Sequence, residues 1–129
     1  MEQYTAVQNV NRQLRGFTGT ENWYRHTFTG KLFTDGVHHL RHSFQCYWLV
    51  DDILYFTKQI REPFQVWTLR RVMVIENNQV KDRSNKFELT CDDGDGNTLF
   101  SHQYNFSDFE GDIVQLYFGD GVLLLPSEY

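Results

Sequence analysis

The run Cys46-Tyr47-Trp48-Leu49-Val50-Asp51-Asp52-Ile53-Leu54-Tyr55-Phe56 is the most apolar and aromatic stretch of the chain and lies near its middle. Polar residues do not alternate through it, and it is longer than a buried strand usually runs, so it predicts a helix. With Asp35 to Ile60 treated as one helix on a wheel of about 100° per residue, the residues sort into faces. Arg41, Gln45, Asp52 and Gln59 fall on a narrow stripe that should face water. Leu40, Phe44, Tyr47, Leu54 and Tyr55 make one apolar flank, and Leu49, Ile53, Phe56 and Ile60 another. A helix apolar on two sides is covered on two sides. The expectation is one long buried central helix between a sheet and the N-terminal segment, with a bend or division near Ser43 left open.

The wheel separates two adjacent acids. Asp52 lies on the polar stripe as a solvated surface acid. Asp51 falls among Leu40, Phe44, Tyr47 and Tyr55, where an unpaired carboxylate would cost several kcal/mol. It is expected either to be tied to a backbone N–H, a tyrosine or an arginine, or to face a ligand from the floor of a pocket.

The flanking segments set the fold class. Tyr4, Val7, Val10 and Leu14 recur at helical spacing in residues 1–15, and Gly16-Phe17-Thr18-Gly19-Thr20 breaks that pattern. Trp23 to Thr29 reads as a short helical turn or a strand, with strand favoured by Thr29, followed by a turn at Gly30 and Lys31. Thr34 or Asp35 is the expected N-cap of the central helix, and Pro63 its end. Beyond Pro63 the periodicity changes. Trp67, Leu69, Met73 and Ile75 alternate with Val66, Val72 and Val74, and Phe87, Leu89 and Cys91 alternate in a second strand. Phe100, His102, Tyr104 and Phe106 share a face of a third, and Ile113 to Phe118 and Val122 to Leu125 make a last hairpin. Asn77-Asn78, Asp92 to Asn97 and Gly119-Asp120-Gly121 are turns, and Ser107 to Gly111 a loop. The whole reads as α+β, N-terminal helices packed on an antiparallel sheet of about five strands.

A chain of 129 residues forms one domain, residues 1–129, with a real core. Eleven Phe, seven Tyr and three Trp supply more aromatic surface than a core needs, which points to an aromatic-lined groove or a homo-oligomer interface. The net charge of −5 argues against direct nucleic-acid binding, although Lys58, Arg61, Arg70 and Arg71 could form a local basic patch. Cys46 and Cys91 make neither a CxxC nor a disulfide framework. No signal peptide and no membrane-length apolar run is present. A reduced, cytoplasmic setting is expected.

Several segments together resemble an uncharacterised family of small single-domain proteins found in bacteria, phages and mobile elements. They are Phe17-Thr18-Gly19-Thr20-Glu21, Tyr24-Arg25-His26, Thr34-Asp35-Gly36-Val37, Tyr47-Trp48-Leu49-Val50-Asp51, Phe64-Gln65-Val66-Trp67, Ser107-Asp108-Phe109 and Leu125-Pro126-Ser127-Glu128-Tyr129. The resemblance names no substrate. It implies an accessory protein that binds and inhibits a partner or sequesters a small signal.

Candidate chemistry is sparse. His38, His42 and Cys46 recur every four residues and could share a metal, but two histidines above a buried cysteine is the reading adopted, with no metal and no cofactor. Asp93, Asp95 and Asn97 begin like a calcium loop, yet Thr98 stands where that loop needs glycine and Tyr104 where it needs glutamate, so a hairpin turn is expected. Trp23, Tyr24, Arg25, His26, Asp35, Trp48, Asp51 and Trp67 combine arginine with aromatic faces, the chemistry that holds a nucleotide-like ligand or a partner. No hydrolase, metalloprotease, P-loop or dinucleotide motif occurs. The function expected is a non-enzymatic binding protein that occupies a protein partner, its acidic surface favouring a basic one. A small-molecule or nucleotide binder using the aromatic and arginine cluster stands second, and a hydrolase with a histidine–carboxylate site, on His26 or His102, third.

Overall fold

The structure, a computed structural model, describes residues 7–129. Thr34 turns the backbone from an extended strand into a helix. Its hydroxyl accepts from the Val37 N–H at 3.4 Å and caps α2 (Asp35–Ser43), whose buried side is Gly36, Val37 and Leu40. Gln45 then adopts a positive φ of 52° and stops the helix, because a β-carbon there clashes with helical continuation. Cys46 starts a new helix, α3 (Tyr47–Phe56), which buries Leu49, Val50, Ile53 and Leu54. A 3-10 turn at Thr57–Gln59 follows, and Ile60 is already extended.

The expected single helix from Asp35 to Ile60 is therefore corrected to two, α2 and α3. The break resets the helical phase, so a wheel drawn through it misplaces the acids. Tyr47, Asp51 and Tyr55, four apart, form the exposed stripe of α3, and Asp52 is the half-buried acid. The Asp52 Oδ2 accepts from the Tyr104 hydroxyl at 2.6 Å. Asp51 is not a core carboxylate, since its side chain is 52% exposed.

Seven strands rather than about five form one sheet. They are β1 (Trp23–Arg25), β2 (Leu32–Thr34), β3 (Phe64–Glu76), β4 (Gln79–Asp92), β5 (Thr98–Tyr104), β6 (Ile113–Gly119) and β7 (Val122–Leu124). Their order is β1-β2-β7-β6-β3-β4-β5. The two additional strands are the three-residue pair β1 and β2 at one edge. Because β2 runs parallel to β7, the sheet is mixed rather than antiparallel.

Pairing register defines the covered face. Leu116, Trp67, Cys91 and Phe100 stand in one row across four strands, and Val114, Leu69 and Leu89 in the next. Side chains alternate faces along a strand, so these rows share a face with Phe33, Leu123 and Phe118, and α2 and α3 pack on it. Phe56 of α3 meets Phe100 at 4.6 Å between ring centroids, and Trp48 meets Tyr104 at 5.0 Å. Trp67 is fully buried there, its indole N–H donating to Gln65 Oε1.

The turns follow their residues. Asn77 and Asn78 have φ of 54° and 63°, and Asp120 and Gly121 of 52° and 77°, as two-residue hairpin turns require. In the β4–β5 turn the Asp93 carboxylate accepts from the Asn97 side chain and the Asp95 and Asn97 N–H groups, so these residues hold one another. Among the described residues the N-terminal helical periodicity yields α1 (Val10–Gln13), and Tyr4 lies outside them. Asn11 clips this segment to β6, donating to Gln115 O at 2.8 Å and accepting from Gln115 N at 2.7 Å. That clip satisfies the β6 edge beyond the end of the short β7. At the base of the β3–β4 hairpin, the Asp112 carboxylate is fully buried and binds Arg71 Nε at 2.9 Å, Arg83 Nη2 at 3.1 Å and the Gln8 N–H at 2.7 Å.

Candidate functional site

Exposed aromatic surface with a single sign of charge lies at the β6–β7 turn end of the sheet. Trp23 on β1, Phe64 at the start of β3, the turn at Asp120, and Glu128 and Tyr129 at the C-terminal end border a groove of about 560 Å³. Phe64, Tyr117 and Tyr129 form a ring cluster with centroid separations of 5.1, 5.3 and 5.5 Å. Trp23 is 56% exposed and Tyr129 80%, so both present ring faces to solvent.

Both charged residues lining the groove are acids. Glu128 is held in the floor. Its Oε1 accepts from the Thr34 hydroxyl at 2.6 Å and the Leu125 N–H at 2.9 Å, and its Oε2 from the Gly36 N–H at 3.0 Å. These bonds place a carboxylate at the N-terminus of α2, where the helix dipole favours negative charge. Asp120 is exposed, and among the described residues its carboxylate has no partner. Its turn conformation accepts Asn or Gly equally well, so the turn does not require the charge. Aromatic faces beside free carboxylate suit a cation.

The eight residues singled out in the sequence do not form one cluster. Trp23 borders this groove. Tyr24 donates to Asp35 Oδ1 at 3.1 Å and stacks on His38 at 4.2 Å. Asp35 also accepts from the Glu21 and Asn22 N–H groups and the Asn22 side chain. Those bonds, the Glu21 N–H foremost, lower its pKa to about 2, and they fasten the loop of residues 16–22 to α2. Between that loop and α2 lies a cleft of about 780 Å³ lined by Asp35, His38, His39 and His42. Trp48 faces another, of about 450 Å³, with Tyr104 and Asp108. Trp67 belongs to the core.

Arg25, His26 and Asp51 do converge, in a small pocket of about 200 Å³ that also includes Phe28, Arg41 and Tyr47. His26 is buried, and its Nε2 lies 2.7 Å from Asp51 Oδ1. Its Nδ1 accepts from the Thr29 N–H at 3.2 Å and lies 3.0 Å from the Thr29 hydroxyl. A backbone N–H can only donate, so Nδ1 carries no proton and Nε2–H donates to Asp51. Both ring nitrogens are thus occupied by the fold, and neither offers a base to a substrate. In this pocket the arginine that meets aromatic faces is Arg41 rather than Arg25. Its guanidinium lies 4.5 Å from the Phe33 ring and 4.7 Å from the Tyr47 ring, while Arg25 Nη1 donates to Gly30 O.

His38, His42 and Cys46 do not face a common centre. Cys46 is buried with its thiol toward Leu40 O, and His42 Nδ1 meets the Tyr47 hydroxyl at 3.1 Å. Among the described residues no group of three or more His, Cys, Asp or Glu side chains could hold a metal, and no helix is long and apolar enough to cross a membrane. The sequence reasoning passed over Phe64, Asp120, Glu128 and Tyr129 as site residues. Their signal is weak but present: Phe64 and Tyr129 are aromatics at the ends of elements, and Asp120 and Glu128 are acids in the β6–β7 turn and the terminal segment.

Fold and groove define a class: an α+β domain with two helices on one face of a mixed seven-stranded sheet and an acidic aromatic groove at its end. The family of unknown function DUF6876 matches residues 8–129, and the chain belongs to that family. No curated protein and no solved structure matches the chain.

Proposed function

We propose that this protein is a non-enzymatic binding protein that occupies a protein partner, and that the Trp23–Phe64–Tyr129 groove receives a lysine- or arginine-bearing segment of that partner. The observation that carries the reading is the union of exposed ring faces with carboxylates only. A cation over an aromatic face gains roughly 0.5–2 kcal/mol, and aromatic anchors dominate the energetics of partner surfaces. The net charge of −5 attracts a basic partner over distance. The occupied nitrogens of His26 count against a hydrolase built on that residue. The setting that goes with this reading is an accessory protein of a bacterium, phage or mobile element, which the motifs imply, inhibiting what it binds in the cytoplasm.

The test is titration with oligolysine and oligoarginine peptides, read by tryptophan fluorescence, with oligoglutamate as control. The expected result is saturable, salt-sensitive binding of the basic peptides, weakened roughly 2- to 30-fold by Trp23→Ala and by Asp120→Asn but not by Asp95→Asn in the distant turn. Equal binding by all variants, or no binding, overturns the assignment to this groove. A host protein captured by the wild type and lost with Trp23→Ala would then name the partner.

A further inference from the structure

The small pocket beside α3 is lined by three charged residues, Arg25, Arg41 and Asp51, and the last two, of opposite sign, keep hydrogen-bonding capacity that the fold does not fill. Arg41 is held between the rings of Phe33 and Tyr47, and its Nε is buried with no hydrogen-bond partner. Among the described residues none of its N–H donors meets a protein acceptor. Burying a guanidinium donor without a partner is costly, and the two flanking rings fix its position without satisfying it. Asp51 lines the same pocket. One of its oxygens is fixed by His26, and the other accepts nothing from the described protein. Arg41 and Asp51 make no ion pair with each other, although Asp51 pairs with His26.

Two opposite charges that line one pocket and are not paired to each other are bridged by a ligand carrying both complementary charges. We propose that this pocket binds a small zwitterion of the α-amino-acid class, its carboxylate on Arg41 and its ammonium on the free oxygen of Asp51. Size supports the class. A volume of about 200 Å³ is below the ~300–1,000 Å³ of pockets for drug-sized ligands, too small for a nucleotide. Phe28, 87% exposed with its ring 6.1 Å from His26, offers an apolar wall, so an apolar side chain is favoured. His26 acts as a positioning residue: its Nε2–H fixes one Asp51 oxygen while Thr29 fixes the ring. The site shares no lining residue with the aromatic groove, so its test is independent of the partner reading.

The experiment titrates the full chain with a panel of free L-amino acids and observes the Arg41 guanidinium resonances by NMR. Each binder is matched by its N-acetyl derivative, which lacks the ammonium, and its methyl ester, which lacks the carboxylate. The expected result is saturable binding of at least one apolar amino acid, weakened about tenfold or more by either blocking group, by Arg41→Gln and by Asp51→Asn. Asp51→Asn retains an acceptor for His26, so it removes the charge without disturbing the fold. Should Arg41→Gln fail to fold, Asp51→Asn and the two blocked ligands decide. No binding by any amino acid overturns the proposal. So does an N-acetyl form that binds as tightly, which would mark a plain anion site, or an ester that binds as tightly, which would mark a cation site.

Discussion

Replacing Asp112 should unfold this protein more readily than any single change in the groove. The Asp112 side chain is fully buried and accepts from Arg71 Nε, Arg83 Nη2 and the Gln8 N–H. Arg71 is itself only 9% exposed. Removing one member of a buried ion pair costs about 3–5 kcal/mol, because the other charge remains in a poor solvent. Arg71 is partly compensated, since Nη1 donates to Ser84 O, Nη2 to Phe109 O and Gly111 O, and the guanidinium lies 4.6 Å from the Phe87 ring. That compensation keeps Asp112→Ala near the lower end, about 3 kcal/mol. Asp112→Asn keeps one accepting oxygen but sets its NH2 against N–H donors at the place of the other, so it should also destabilise, by about 1–3 kcal/mol. The assay is urea unfolding at neutral pH with the m-value checked for constancy. A double-mutant cycle with Arg71→Met adds the sharper test: the double variant should cost less than the sum of the two single variants, since each alone already removes the Asp112–Arg71 contact. Asp112→Ala within about 0.5 kcal/mol of wild type, the range of an ordinary surface change, would refute the reasoning.

Two further outcomes follow from titration. The bonds from the Glu21 N–H, then from Asn22 and Tyr24, hold Asp35 near pH 2 against an ordinary 3.8. A lowered folded-state pKa means the contribution is complete above about pH 4 and is lost as pH falls through 2. The Glu21 and Asn22 amide resonances should therefore stay native until well below pH 3.8, and a transition centred at 3.8 would show the bonds absent. Burial pushes the thiols of Cys46 and Cys91 up to about 12. Both should ignore an aromatic disulfide reagent at neutral pH in the folded protein and react in denaturant, whereas rapid reaction of the native protein would place a thiol at the surface.

Local signals were legible in the sequence because they are short-range physics. Thr34 caps α2, Asn77-Asn78 and Gly119-Asp120-Gly121 turn where permissive residues stand, and the alternation from Val66 onward became strands. Failure came where geometry depends on distant chain. Gln45 is no usual left-handed residue, so nothing local announces that the helix stops there. With that stop unseen, one wheel was drawn through two helices, and Asp51 and Asp52 exchanged environments. The strands β1 and β2 are three residues each, too short to show a period of two, so a strand near Trp23 was legible but its pairing into the sheet, and β2 itself, were not. Their place is set by the parallel pairing of Leu32 and Phe33 with Val122 and Leu123, across most of the chain length.

The same distinction governs the site. Arginine, aromatic rings, a histidine and an acid did signal a polar pocket, and Arg25, His26 and Asp51 do line one. Composition could not say that the ring-stacked cation is Arg41. That follows from the turn of α2 toward β2, which sets its side chain between Phe33 and Tyr47. Nor could composition separate Trp23, Trp48 and Trp67, which went to a groove, a cleft and the core. What decides between them is sheet position. Trp67 stands in a central strand under both helices, whereas Trp23 stands on an edge strand with solvent on one side. An edge strand of three residues holds few backbone bonds of its own, so the order of Trp23 is supplied by the Asp35 carboxylate, which binds the Glu21 and Asn22 amides just before it. Asp35, read from the sequence as part of a ligand cluster, instead fixes the chain leading into β1, and through it one wall of the groove.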